Sequence, residues 1–177
     1  MALNYWSTQK TVLPVYNFKG TDYNRLEKMK MFNIDRGLTN VSTAGKRNEK
    51  SLTTYQIDEA ISYAVKLGMP KERIYYSEKE NTFYGSRLDI LIIGTDVAPL
   101  KKRAKNPNSN VSLKGAIAHE IVGHRDAALG GLSNENDLLE EVQASIRDAR
   151  FAPDLNRLER YDLLKDAIHR LKSNGIH

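Results

Sequence analysis

The chain contains no cysteine among its 177 residues. Disulfides, thiolate metal sites and a cysteine nucleophile are therefore excluded, and a bound metal ion must be held by His, Asp or Glu. No apolar run approaches the about 18 residues of a membrane span, and the N-terminus lacks the basic and then apolar pattern of a signal peptide. We therefore expect a protein without a membrane span that is cytoplasmic as the chain stands.

The chain also lacks a strong excess of charge of one sign. Its net charge is +5, from 27 basic and 22 acidic residues, and apolar residues make up 40% of it. Such mild basicity is typical of a solvated surface, so we expect no nucleic-acid partner. The alternative hypothesis, a domain directed at DNA or RNA, depends on the basic loop 101–110. The length predicts one domain at 51–177, preceded by an N-terminal extension at 1–50.

Strand patterns precede helix patterns along the chain, which predicts an α+β fold with a short sheet and a helical C-terminal half. The apolar segment 88–93 is expected to be a core strand, or alternatively an edge strand to which a peptide substrate adds. The predicted strands are 12–18, 73–76 and 84–94. Helices are predicted at 22–32, from Thr53 or Thr54 to Gly68, and at 113–129. Two more helices are predicted to begin at the N-caps Asn136 and Asn156.

The most informative segment is GAIAHEIVGH, in which His119, Glu120 and His124 interrupt an apolar helical run. Burying an ionisable glutamate there costs several kcal/mol unless it is paired or linked to a metal. The histidines are five residues apart, and five residues of a regular α-helix turn through about 500°, which leaves the rings about 140° apart. A metal site therefore requires a π-bulge between the histidines, and Gly123 is the position where the backbone distorts most easily.

A third metal ligand is available on the next helix, after the Gly130-Gly131 turn. Its first turns contain Glu140 and Glu141, and an antiparallel helix pair can place either carboxylate opposite the imidazoles. Two histidines, one carboxylate and an open water position are typical of catalytic Zn²⁺ sites. The sequence therefore predicts a zinc hydrolase in which Glu120 is the general base.

The segments HEIVGH and EEVQAS resemble the paired motifs of the dipeptidyl peptidase III family of zinc peptidases. The resemblance implies a zincin-like domain in which His119, His124 and Glu141 bind zinc, while Glu140 supports a ligand histidine. Ser145 stands where that family has an acid that orients a ligand histidine. Either Asp148 or Glu140 is then expected to take over that task.

A broader resemblance covers about residues 88–177. The stretches IIGTDVAP, SLKGAIAHEIVGHRDA, EEVQASIRDARF and ERYDLLKDAIHRL are similar to metallopeptidase-type domains at the C-termini of bacterial polymorphic toxins. This resemblance implies a toxin or effector domain that acts on a peptide or protein, is delivered into target cells as part of a larger secreted protein, and is neutralised by an immunity protein.

The residue that stabilises the oxyanion stays open at the level of sequence. His169 is the candidate on the last helix, although a surface histidine is the plainer interpretation, and Tyr161, Arg147 and Arg150 compete for the role. Three alternative functions also stay open: an amidase on the same metal site, a non-catalytic toxin-like or binding module with a structural metal, and a nucleic-acid-directed domain.

Overall fold

The computed structural model describes residues 45–176. The strand predicted at 12–18 and the helix predicted at 22–32 lie outside the described residues. The described part has an α+β fold, with a small sheet followed by a helical C-terminal half that carries the candidate site, as predicted. Among the helices of this part, none combines the length and apolarity needed to cross a membrane.

Polar N-caps begin the helices where the sequence predicts them. Thr53 and Gln56 form a capping box at the start of helix α1, and Ser112 accepts a hydrogen bond from the backbone N–H of Gly115 at the start of α2. Asn136 and Asn156 cap α3 and α4 in the same way, because each side chain satisfies backbone N–H groups that lack a partner within the helix. The helices are α1 (Thr54–Lys66), α2 (113–129), α3 (Asp137–Phe151) and α4 (Arg157–Ser173).

The sheet has three strands in the described residues: β1 (Ile74–Tyr76), β2 (Phe83–Gly85) and β3 (Ile90–Ile93), in the order β1-β3-β2. Strand β3 is parallel to β1 and antiparallel to β2, and all four of its side chains are buried. The prediction of one strand over 84–94 is wrong, because the chain turns at 86–89, where Asp89 has a φ of 50°. The central position of β3 makes it a core strand and excludes the edge-strand alternative for it.

One apolar core joins α1, β1, β3 and α2. Ile117 and Ile121 are fully buried, and they fix the rotation of α2 about its axis. Since α2 presents this apolar face to the core, the segment 119–125 contacts α3 and β2. The core therefore decides which side of α2 carries the candidate site.

Arg47 binds the stretch 45–50 to the rest of the fold, although the sequence assigns this stretch to the N-terminal extension. Its guanidinium donates to the backbone carbonyls of Asp96, Val97, Asn108 and Val111. Burial lowers the pKa of Arg47 to about 10, which leaves it a cation at neutral pH. The domain that carries the site therefore includes contacts from residues before position 51.

We expect Arg47→Met to lower the free energy of unfolding by about 2–4 kcal/mol, because several carbonyls lose a charged donor. Urea unfolding of the variant and of wild type measures the difference. Lys46→Met is the matched control, since Lys46 is exposed, and it should change stability by less than about 0.5 kcal/mol. Equal stability of Arg47→Met and wild type would show that the stretch 45–50 contributes little to the fold.

Candidate metal centre

Helix α2 changes its winding at the two histidines. It is α-helical over Leu113–Ala118, π-helical over His119–Arg125 and α-helical again over Asp126–Leu129. In a π-helix hydrogen bonds run from i to i+5, so residues five apart lie above one another. The Nε2 atoms of His119 and His124 are accordingly 3.2 Å apart, with the rings nearly perpendicular at 88°. The predicted break between the two histidines is confirmed.

Gly123 serves close helix packing as well as the change in winding. A Cβ atom at this position would lie 2.8 Å from the Cβ of Ala144 and 3.0 Å from its Cα and carbonyl oxygen. The carbonyl of Gly123 accepts a hydrogen bond from Nη1 of Arg147 at 2.8 Å. The absence of a side chain therefore lets α3 approach α2 closely enough to bring its carboxylates to the imidazoles.

Glu141 completes a three-residue cluster that can hold a metal ion. Its Oε2 lies 3.2 Å from Nε2 of His119, and its Oε1 lies 3.4 Å from Nε2 of His124. A tetrahedral ion with ligand bonds of about 2.0–2.1 Å has ligand-to-ligand edges of about 3.3–3.4 Å. The spacing of the two nitrogens and the carboxylate therefore fits an ion of the size of Zn²⁺.

The other ring nitrogens face carboxylates. Nδ1 of His119 lies 3.3 Å from Oδ2 of Asp148, which is fully buried, and Nδ1 of His124 lies 3.3 Å from Oε1 of Glu140. A carboxylate opposite Nδ1 favours the tautomer that carries its proton there, which leaves the lone pair on Nε2. Two lone pairs that face each other at 3.2 Å repel unless a proton or a metal cation lies between them. The surroundings of the histidines therefore favour a shared cation.

Acidic side chains dominate the electrostatics of the cluster. Burial alone would lower the pKa of His124, but hydrogen bonds to Glu140 and Glu141 outweigh burial and raise it to about 9. Burial opposes ionisation of Glu141, but its bonds to both histidines hold its pKa well below the ordinary value. Both directions show that positive charge is stabilised between these side chains, whether a protonated imidazole or a bound cation carries it.

Glu120 lies beside the cluster without belonging to the three residues that can hold the ion. Its Oε2 accepts a 2.8 Å hydrogen bond from the backbone N–H of Tyr84 on β2. Burial raises the pKa of Glu120, while the nearby histidines act in the opposite direction. A partly desolvated carboxylate with a fixed orientation is suited to accept and return a proton.

Two residues named by the sequence as supports contact the histidines. Glu140 is held by the backbone N–H of Asn134 and by Arg147 in addition to His124, and these bonds outweigh burial and lower its pKa to about 2. The hydroxyl of Ser145 lies 3.4 Å from Nδ1 of His119, so Ser145 and Asp148 both face this nitrogen. In the resembled motif, an acid at the position of Ser145 is expected to orient a ligand histidine.

The four oxyanion candidates are placed differently. Arg147 contacts Glu140 at the site. Nε2 of His169 lies 3.5 Å from the side-chain nitrogen of Asn106, on the 101–110 loop. Tyr161 and Arg150 are exposed on the helix surface.

Sequence reasoning missed Arg170 and Asp166. Nη1 of Arg170 lies 3.2 Å from Oε2 of Glu141, and Nε of Arg170 donates to Oδ2 of Asp166 at 2.8 Å. The signal in the sequence was an Asp and an Arg four residues apart, a pattern that ordinary surface ion pairs on helices share.

Comparison of the chain with models of protein families, with curated proteins and with solved structures finds no match. The resemblance to zinc peptidases and to toxin domains therefore stays a prediction from the sequence. The metal-binding hypothesis rests on contacts within this chain.

We expect His119→Ala, His124→Ala and Glu141→Ala each to lower zinc affinity by more than about 100-fold, because each removes a ligand atom. Glu140→Ala should lower it by about 10–100-fold, since Glu140 acts through His124. Competition with a chromophoric chelator measures the affinities. If Glu140→Ala abolishes binding while Glu141→Ala does not, the two glutamates have the opposite roles.

Gly123→Ala should push α3 away from α2, which lowers the free energy of unfolding by about 1–3 kcal/mol and weakens zinc binding. Denaturant titration and chelator competition on the same preparations measure the two effects. Asp126→Ala, an exposed change on the same helix, is the control and should alter neither. Wild-type zinc affinity in Gly123→Ala would contradict the packing argument.

Proposed function

We propose that this protein is a zinc-dependent metallopeptidase. The observation that carries the proposal is the convergence of Nε2 of His119, Nε2 of His124 and the carboxylate of Glu141, with Glu120 fixed beside them. Three ligands leave a tetrahedral ion with an open position, which is the arrangement of catalytic rather than structural zinc. The absence of cysteine agrees with a nitrogen and oxygen ligand set.

His119, His124 and Glu141 would hold Zn²⁺, which would supply Lewis-acid chemistry by lowering the pKa of water from about 15.7 to about 7 and by polarising a carbonyl. Glu120 takes the proton from the attacking water and passes it to the leaving amine. Tyr84 holds the carboxylate of Glu120 in place through its backbone N–H. Asp148 and Glu140 keep the protons of the two imidazoles on Nδ1, so that each Nε2 retains a lone pair for the metal ion.

The position of β2 supports a peptide or protein substrate over another amide. Among the described residues β2 is an edge strand, and it contacts the π-helical segment of α2. An extended peptide can lie along such an edge, and because the backbone N–H of Tyr84 already donates to Glu120, it would bind through the remaining backbone groups and through side chains. A peptide on this edge would run beside the candidate metal centre, which favours the peptidase over the amidase alternative.

The biological setting that we propose is a toxin or effector domain with an immunity protein as its partner. This part of the proposal is supported by the sequence resemblance over about residues 88–177. Hydrolysis of cell proteins by such a domain would harm a cell that produces it without its immunity protein. Growth of a producing cell is therefore a readout that needs no knowledge of the substrate.

We expect Glu120→Gln to bind zinc like wild type and to lose about 10²–10⁴-fold in hydrolysis, because glutamine keeps the shape and the bond to Tyr84 but cannot act as a base. Cleavage of a fluorescent casein and growth on induced expression measure activity, and elemental analysis measures zinc. Glu72→Gln, an exposed change far along the chain, should behave like wild type.

The same experiment separates catalysis from a structural metal. A structural site retains its full role without a general base. A zinc-loaded Glu120→Gln protein with wild-type hydrolysis and toxicity would therefore refute the peptidase proposal and favour a binding module in which the metal joins α2 and α3.

A further inference from the structure

The surroundings of Glu141 are completed from α4, which provides none of the three candidate ligands. Arg170 projects from this helix, is 6% exposed, and places Nη1 3.2 Å from Oε2 of Glu141. The same carboxylate reaches His124 through its other oxygen, Oε1, at 3.4 Å. Oε2 of Glu141 therefore adjoins both a fixed cation and Nε2 of His119, which is also 3.2 Å away, whereas Oε1 adjoins Nε2 of His124.

Arg170 is itself held in place. Its Nε donates to Oδ2 of Asp166, one turn earlier on α4, and Asp166 is 2% exposed. The hydroxyl of Ser145 donates to the same oxygen of Asp166 and lies 3.4 Å from Nδ1 of His119. Contacts thus run from His119 through Ser145, Asp166 and Arg170 to Glu141, so a guanidinium with few alternative rotamers adjoins the carboxylate.

A cation beside one carboxylate oxygen draws electron density toward that oxygen and restricts the orientation of the carboxylate. Oε2 is then the poorer metal donor, and Oε1 the better one. A glutamate that donates through both oxygens would fill the position that a hydrolytic zinc site keeps open for water.

We propose that Arg170 is a positioning residue that makes Glu141 a one-oxygen ligand through Oε1, an inference that rests on the proposed metal site. Asp166 orients the guanidinium, and Arg170 thereby preserves the open coordination position. Arg170 acts through Glu141 and does not bind the ion.

Co²⁺ substituted for Zn²⁺ tests the inference, because four-coordinate Co²⁺ absorbs visible light more strongly than five- or six-coordinate Co²⁺. We expect an intense visible band in wild type and its loss in Arg170→Met, with the ion still bound. Hydrolysis of casein by zinc-loaded Arg170→Met should fall through kcat by about 10–100-fold, with KM little changed, since the change affects the metal surroundings rather than the peptide contacts.

Arg103→Met is the matched control, because Arg103 pairs with Asp162, another buried aspartate of α4 that is not a proposed ligand, at a similar distance of 3.1 Å. It should leave the Co²⁺ spectrum unchanged. Arg170→Met leaves the buried charge of Asp166 without its partner, which can prevent folding. The double variant Arg170→Met/Asp166→Asn removes both charges and should show the same spectral loss.

A wild-type spectrum in a folded Arg170 variant would overturn the inference and leave the peptidase proposal intact. Failure of the wild-type protein to bind either Co²⁺ or Zn²⁺ would instead overturn the proposed function and the inference with it. If the wild-type protein binds Co²⁺ but Glu120→Gln leaves hydrolysis unchanged, the metal is structural. Arg170 would then have no open position to preserve, and the inference would be overturned with the peptidase proposal.

Discussion

The contact between the Nε2 atoms of His119 and His124, at 3.2 Å, depends on a change in helical winding. A regular α-helix separates side chains five residues apart by about 140° around its axis, whereas i to i+5 bonding places them on one face. The wider winding disturbs the backbone bonds of the helix, and Arg147 from α3 donates to the carbonyl of Gly123. The site and the packing of α2 against α3 therefore stabilise each other.

Charge balance is the second constraint on this region. Glu120, Glu140, Glu141 and Asp148 surround two imidazoles whose environment favours positive charge. So many acids in a partly desolvated volume destabilise a fold unless cations compensate them. Arginines from α3 and α4 provide part of that compensation, and the two imidazoles can provide more when they carry a proton. A cation held between the imidazoles, as we propose, would compensate the remaining charge.

Support for the candidate ligands comes from two helices, α3 and α4. Ser145 stands where the resembled motif has an acid, and its hydroxyl contacts both the imidazole of His119 and the carboxylate of Asp166 from α4. Asp148 from α3 faces the imidazole of His119 as well. The loss of a carboxylate at one position is thus accompanied by carboxylates from two other positions. The surroundings of the candidate ligands therefore depend on how α3 and α4 pack as well as on the local motif.

The sequence by itself determined the α+β class, the helix starts at polar N-caps and the need for a π-helical break, because periodicity, capping and residue spacing are local properties. It also named His119, His124 and a glutamate of the pair 140–141 as the cluster. Only the tertiary structure decided that the chain turns at 86–89, that Tyr84 holds Glu120 and that Arg170 adjoins Glu141. The contacts of Tyr84 with Glu120 and of Arg170 with Glu141 join residues about 30 or more positions apart, and such partners are chosen by how the elements pack, which no local pattern encodes.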